Sequence, residues 1–121
     1  MTLQKLTPTL YTRDFRVTVD FYRDVLGFTC DAMDEEVGWA SLSRDGVAVM
    51  LALPNAHLPF EKPVFTGSLY FRCDHVDELW QQLRDLANIC YPIESFDYGM
   101  REFAIFENNG YVLQFGQELE P

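Results

Sequence analysis

Asp14-Phe15-Arg16-Val17-Thr18-Val19-Asp20-Phe21-Tyr22-Arg23-Asp24-Val25-Leu26-Gly27-Phe28 reads as one helix with both ends marked. Phe15, Val19, Tyr22 and Leu26 follow at spacings of four, three and four, which is one face of a 3.6-residue period. Asp14 is a suitable N-cap. Gly27 suits the residue just past the helix, with Phe28 placed to make the hydrophobic contact that follows such an ending. Upstream, Leu6 to Tyr11 reads as a short strand, and Pro8 inside it requires a sheet edge or one-sided pairing. Downstream, Asp31, Asp34, Glu35 and Glu36 read as a solvated hairpin. Trp39 to Ser43 and Val47 to Leu53 are strands joined by the turn signal Asp45-Gly46.

The second half repeats this order. Ser68 to Cys73 is a strand, Asp74 an N-cap, and Val76, Leu79, Trp80, Leu83 and Leu86 one face of a second helix. Cys90 to Ile93 is a short strand. Phe103 to Phe106 and Tyr111 to Gly116 are strands joined by Glu107-Asn108-Asn109-Gly110. The N-cap aspartates stand 60 positions apart and the hairpin glycines Gly46 and Gly110 stand 64 apart, close to half of the 121-residue chain. The pattern is α+β: two tandem βαβββ modules forming a curved mixed sheet around a groove. Residues 1–121 are read as one domain, module one spanning 1–58 and module two 59–121, with Pro54 to Pro63 as the linker.

A formal charge of −10 argues against nucleic acid as a partner, because phosphates call for a basic footprint. It either steers a cationic ligand or serves solubility. No apolar run is long enough to span a membrane, and the N-terminus lacks a signal-peptide pattern, so a cytoplasmic protein is expected. Cys30, Cys73 and Cys90 have no zinc-type spacing and read as small buried hydrophobes in a reducing compartment. His57 is expected to face solvent in the linker, and His75 to belong to the turn that starts the second helix.

Thr12-Arg13-Asp14-Phe15 followed by Asp20 to Phe28 resembles the first-helix signature of the vicinal oxygen chelate (glyoxalase/bleomycin-resistance/extradiol-dioxygenase) superfamily. Tyr98-Gly99-Met100-Arg101-Glu102-Phe103-Ala104 and Asn109 to Phe115 resemble its closing hairpin. Thr7-Pro8-Thr9-Leu10, Arg13-Asp14-Phe15 and Arg101-Glu102-Phe103-Ala104 look most like bleomycin-resistance proteins. The resemblance implies a homodimer that exchanges N-terminal strands, with ligand grooves between subunits. Pro8 fits such a crossing strand, and a kinked edge strand in a monomer is the other reading.

Metal-dependent relatives place four ligands at repeat-equivalent points, two of them seven residues before the N-cap aspartate and two of them four residues after the hairpin glycine. On this sequence those points are Thr7, Gly67, Met50 and Gln114. None is His, Asp, Glu or Cys, and a shift of one residue at the first pair brings in only Leu6, Pro8, Thr66 or Ser68. This donor set does not suit zinc, nickel or iron. Neither a cofactor nor a metal-dependent glyoxalase or dioxygenase activity is expected, and no catalytic residue is assigned.

Parity with those points assigns Thr9 and Tyr11, Ala48, Met50 and Ala52, Leu69 and Phe71, and Val112, Gln114 and Gly116 to the groove face. For Leu69, Phe71 and Val112 ordinary core is the competing reading. The resemblance places Tyr98 where relatives carry an aromatic that stacks on the ligand. Trp39 is a second candidate platform, and either ring could simply pack. Arg101 and Glu102 either orient ligand or pin the hairpin by an ion pair. The expected ligand-binding residues are Thr9, Trp39, Met50, Leu69, Tyr98, Arg101, Glu102 and Gln114. The function implied is a small-molecule-binding protein, sequestering a drug or metabolite as in antibiotic resistance, with an organic ligand, a cationic one complementing the acidic charge. The alternative is a metal-independent isomerase or lyase of the same superfamily, with Glu102 or Asp97 as base. A non-enzymatic regulatory module is a third reading.

Overall fold

Strand β1, Thr9–Tyr11, leads into helix α1, Phe15–Asp20, in a computed structural model that describes residues 1–55, 57 and 60–120. The helix continues as a π-helical turn over Phe21–Val25, closed by the bond from Leu26 N–H to the Phe21 carbonyl at 3.2 Å. Phe15, Val19, Tyr22 and Leu26 are all buried despite the wider turn. Gly27 follows at φ +73, and Phe28 N–H closes back on the Tyr22 carbonyl at 2.8 Å. Asp14 occupies the N-cap without a side-chain bond. The capping chemistry comes from threonine: Thr12 Oγ1 accepts from Asp14 N–H at 3.1 Å and lies 2.8 Å from Thr18 Oγ1, both threonines being fully buried.

Strands β2 (Thr29–Asp34), β3 (Trp39–Arg44) and β4 (Val47–Ala52) complete this module. The sheet order is β1-β4-β3-β2, with β1 parallel to β4 and the other pairs antiparallel. Alternation sorts its faces. Leu10, Ala40, Leu42, Val49 and Leu51 are buried with the apolar face of α1. Thr9, Tyr11, Trp39, Ser41, Met50 and Ala52 stand on the other, more accessible face.

The second module repeats the plan with β5 (Leu69–Arg72), α2 (Val76–Leu83), β6 (Asn88–Ser95), β7 (Met100–Phe106) and β8 (Val112–Glu118), in the order β5-β8-β7-β6. The first strand is again parallel to the last. Val76 and Leu83 of α2 are buried together with Phe103, Ile105, Leu113 and Phe115. Trp80 meets Phe103 edge-on at 5.1 Å, and Phe71 stacks on Phe115 at 5.2 Å. The fold is therefore α+β with two βαβββ modules, each a four-stranded mixed sheet. The chain divides into two units, Met1–Lys62 and Pro63–Pro121. Ala56, Leu58 and Pro59, which carry the expected linker and the 58/59 boundary, lie outside the described residues, as does Pro121. No helix among the described residues is long and apolar enough to cross a membrane.

Several local expectations need correction. Asp74 does not cap α2. His75 does so at φ 50, in the left-handed region, and Gln117 Oε1 accepts from Val76 N–H at 2.9 Å. The helix thus starts one residue later than its counterpart, and the strand before it is displaced by one in register. Leu69 pairs with Leu113 and Phe71 with Phe115, both on the core side; Tyr70 and Arg72 take the open face. On β8, Val112 and Gln114 share one face, half-buried, with buried Leu113 between them on the other. The cysteines are not buried either: Cys30 and Cys73 are half-buried and Cys90 is exposed on edge strand β6. His57 is exposed, its N–H bonded to Asn55 Oδ1 at 2.8 Å.

Gly38 closes the β2–β3 hairpin at φ +80, where an added Cβ would stand 2.3 Å from Leu53 Cδ1. Gly38→Ala is therefore expected to cost about 1–3 kcal/mol through backbone strain and displacement of Leu53. Urea denaturation reads this as a lower midpoint at unchanged slope, and an unchanged midpoint would contradict it.

Candidate functional site

Alternation along β7 sends Arg101 and Glu102 to opposite faces of the second sheet. Arg101 turns to the helix side, where its Nε and Nη2 each lie 3.0 Å from Asp77 Oδ1 on α2, and its Nη1 donates to Ser95 Oγ at 3.1 Å. Glu102 turns to the open face, yet is only 2 % exposed. Three phenols cover it. Tyr70 donates to Oε2 at 2.5 Å, Tyr91 donates to Oε1 at 3.0 Å, and Tyr98 also donates to Oε1. A further chain fixes Tyr91: Ser68 donates to Gln114 Oε1, and Gln114 Nε2 donates to the Tyr91 hydroxyl at 2.8 Å.

Each part has a local cause. Tyr70 pairs with Gln114 across β5 and β8, and Glu102 pairs with Gly116 across β7 and β8. A Cβ at position 116 would stand 1.9 Å from the Tyr70 hydroxyl, so the missing side chain of Gly116 is the slot through which Tyr70 reaches Glu102. Tyr91 projects from β6, its ring edge-on to Phe96 at 5.9 Å. Tyr98 sits in the turn before β7 and stacks on Phe96 at 5.3 Å. Tyr70, Arg72, Tyr98, Met100, Glu102 and Gln114 line an open cavity of about 450 Å³, in the size range of small-ligand sites.

The electrostatics follow from this arrangement. Burial by itself raises the Glu102 carboxyl, but the hydrogen bonds from Tyr70, Tyr98 and Tyr91 outweigh it and hold the group below its ordinary value of 4.5. The phenols move the other way. Burial, and then the bond to Glu102 and its charge, lift Tyr70 well above 10.0. Burial also lifts Tyr91, with Gln114 opposing and Glu102 reinforcing the shift. The bond to Glu102, with burial second, pushes Tyr98 up to about 12. At neutral pH the site is one carboxylate ringed by neutral hydroxyl donors. Among the described residues no Lys, Arg or His forms an ion pair with Glu102, and Arg72 at the cavity wall pairs with Glu118 at 3.1 Å instead.

Of the residues singled out in the sequence, Tyr98, Glu102 and Gln114 come together here, while Leu69 and Arg101 face away. Thr9, Trp39 and Met50 share the accessible face of the first sheet. Tyr70, Tyr91, Ser68 and Met100 went unnoticed. Tyr70 could have been found from the alternation of β5 once α2 was started at His75.

A family model described as the Glyoxalase/Bleomycin resistance protein/Dioxygenase superfamily matches residues 4–115. The chain belongs to this superfamily. Solved structures with the same fold include a protein of unknown function from Agrobacterium tumefaciens, 19% identical, with a TM-score of 0.79 over 98% of this chain and 97% of that one. TioX from Micromonospora sp. ML1 is 21% identical, with a TM-score of 0.77 over 96% and 99%. A bleomycin resistance determinant encoded on transposon Tn5 is 23% identical, with a TM-score of 0.77 over 96% and 98%. No curated protein matches the sequence. The superfamily spans enzymes and binding proteins, so membership alone assigns no reaction.

The points that the resemblance assigns to metal are Thr7, Met50 and Gln114, with Ser68 taking the place of Gly67 in the register of β5. A hydroxyl pair, a thioether and an amide do not fit a divalent ion held by imidazole and carboxylate. Gln114 and Ser68 are also bonded to each other. Among the described residues, no three His, Cys, Asp or Glu side chains converge.

Ionised Glu102 has a folded-state pKa below its ordinary value. It therefore stabilises the fold fully above pH 4.5, and the contribution is lost as pH falls from there through the lowered value. The phenols contribute fully below pH 10.0 and lose that contribution as pH rises beyond it. The unfolding free-energy difference between wild type and Glu102→Gln should accordingly shrink on going from about pH 7 to about pH 3. An equal difference at both pH values, measured by urea denaturation, would contradict this.

Proposed function

We propose that the open face of the second sheet binds a small organic cation, and that the protein acts by sequestering this drug or metabolite rather than transforming it. The observation that carries the reading is Glu102, an ionised carboxylate at the base of an aromatic-lined cavity, with no cationic partner among the described residues. A bound cation would supply that partner in a partly desolvated setting, where charge-assisted hydrogen bonds are worth about 1.5–3 kcal/mol. The rings of Tyr70 and Tyr98 add a cation–π contribution of roughly 0.5–2 kcal/mol. A net charge of −10 favours approach of such a ligand. The similarity to a bleomycin resistance determinant supports sequestration as the mode of action.

A metal-independent isomerase or lyase would ask Glu102 to abstract a proton. A general base works best with a pKa near the working pH. Glu102 is held low and accepts three hydroxyl bonds, which argues for binding instead.

Calorimetric titration with benzamidinium, its neutral analogue benzamide and a bleomycin-type glycopeptide tests the reading. Benzamidinium is expected to bind at least about tenfold more tightly than benzamide, a gap of about 1.4 kcal/mol, with Glu102→Gln abolishing the preference. Absence of heat from every probe at submillimolar concentration would refute it.

The same reading includes a homodimer with exchanged N-terminal strands. Leu3 and Leu6 are 89% and 93% exposed, apolar surface that association would cover. Sedimentation equilibrium should give twice the chain mass of 14.1 kDa, and a species of 14.1 kDa at about 100 μM would rule the dimer out.

A further inference from the structure

The three hydroxyls on Glu102 are not equally held. Tyr70 lies in the slot left by Gly116, its hydroxyl where a side chain at 116 would stand. The Tyr91 hydroxyl is fixed from behind by Gln114 at 2.8 Å, and Gln114 in turn by Ser68. Tyr98 has neither restraint. It is 64% exposed, it sits in the turn between β6 and β7 beside Gly99 at φ +88, and its described contacts are the bond to Glu102 and the stack on Phe96. Glu102 Oε1 accepts from both Tyr91 and Tyr98, which uses the two lone pairs of that oxygen.

A ligand donor on Oε1 must therefore displace one of them, whereas Oε2 accepts from Tyr70 and keeps one acceptor site. Removing Tyr91 would leave Gln114 without its acceptor at a part-buried position. Removing Tyr98 exposes a hydroxyl that water can satisfy at once, since the side chain already stands at the surface. The exchange also replaces a neutral donor by a charged one on an anionic acceptor, the stronger pairing.

We infer, resting on the proposed binding function, that Tyr98 is an internal stand-in for the ligand: the ligand's N–H replaces the Tyr98 hydroxyl on Glu102 Oε1, so the site selects cations that carry N–H over quaternary ammonium. Amidinium, guanidinium and primary or secondary ammonium groups qualify. A quaternary ammonium brings charge without a donor and leaves Tyr98 in place. Tyr98 is then a specificity-determining residue: its hydroxyl competes with the preferred ligand for Oε1, while its ring still offers the cation a face.

Two probes of similar size separate charge from donor capacity: benzamidinium and benzyltrimethylammonium, titrated calorimetrically into wild type and Tyr98→Phe. The exposed position of Tyr98 keeps the variant folded, which circular dichroism checks. Wild type should favour benzamidinium. Tyr98→Phe, which removes the competing hydroxyl but keeps the ring, should tighten benzamidinium by about tenfold and change benzyltrimethylammonium by less than about twofold. Weaker benzamidinium binding in the variant, or the same change for both probes, overturns the inference. Equal affinity of wild type for the two probes overturns it while the cation-binding function stands. Failure of both probes to bind wild type overturns the two together.

Discussion

A carboxylate nearly closed off from water keeps its charge only if donors replace the lost hydration, and at Glu102 the donors are the hydroxyls of Tyr70, Tyr91 and Tyr98. Much of the second module's open face follows from this need. Gly116 lacks a side chain where Tyr70 has to pass. Gln114 spends its amide on Tyr91, and Ser68 spends its hydroxyl on Gln114. The hydrogens all run toward the carboxylate, because an ionised carboxylate only accepts. The same alternation that buries Glu102 sends Arg101 to the opposite face, where it ties α2 to the sheet through Asp77.

The duplication makes this arrangement informative, because the two sheets have the same strand order. Met50 and Gln114 sit at equivalent points, each paired with the first strand of its module, to Thr9 in one and Tyr70 in the other. Trp39 pairs with Ala52 as Glu102 pairs with Gly116. Where the second sheet carries Glu102 and Tyr70, the first carries Trp39 and Thr9 at the equivalent points. Two copies of one scaffold thus differ in that the first sheet's open face carries Thr9, Tyr11, Trp39, Ser41, Met50 and Ala52, whereas the second centres on a carboxylate. Neither Met50 nor Gln114 supplies an imidazole or a carboxylate.

The helices and most strands were legible because burial imposes a period. Phe15, Val19, Tyr22 and Leu26 name a helix face whatever surrounds it, and they stayed buried even though the second half of that helix is a π turn. Asp45-Gly46 and Asn109-Gly110 marked their hairpins for the equally local reason that few residues adopt positive φ. Edge strand β6 was seen only in its middle. It runs Asn88–Ser95 with shifts in its pairing to β7, and a Pro-containing, half-exposed strand leaves little alternation to read. The start of α2 was misplaced by one residue because Asp74 has the chemistry of a cap, whereas the bond that caps the helix comes from Gln117, more than 40 positions away.

That single residue decided how much of the site could be read. Counting back from Asp74 put Leu69 on the open face and hid Tyr70, and with it the partner that makes Glu102 intelligible. The sequence by itself determined the duplicated βαβββ plan and the family, since each rests on local periodicity or on residue type. Only the tertiary structure decided that Tyr70, Tyr91 and Tyr98 meet on one carboxylate and that Arg101 does not join them. That meeting depends on cross-strand register between residues up to 32 positions apart, and a slip of one residue in a strand reverses the face of every side chain it carries.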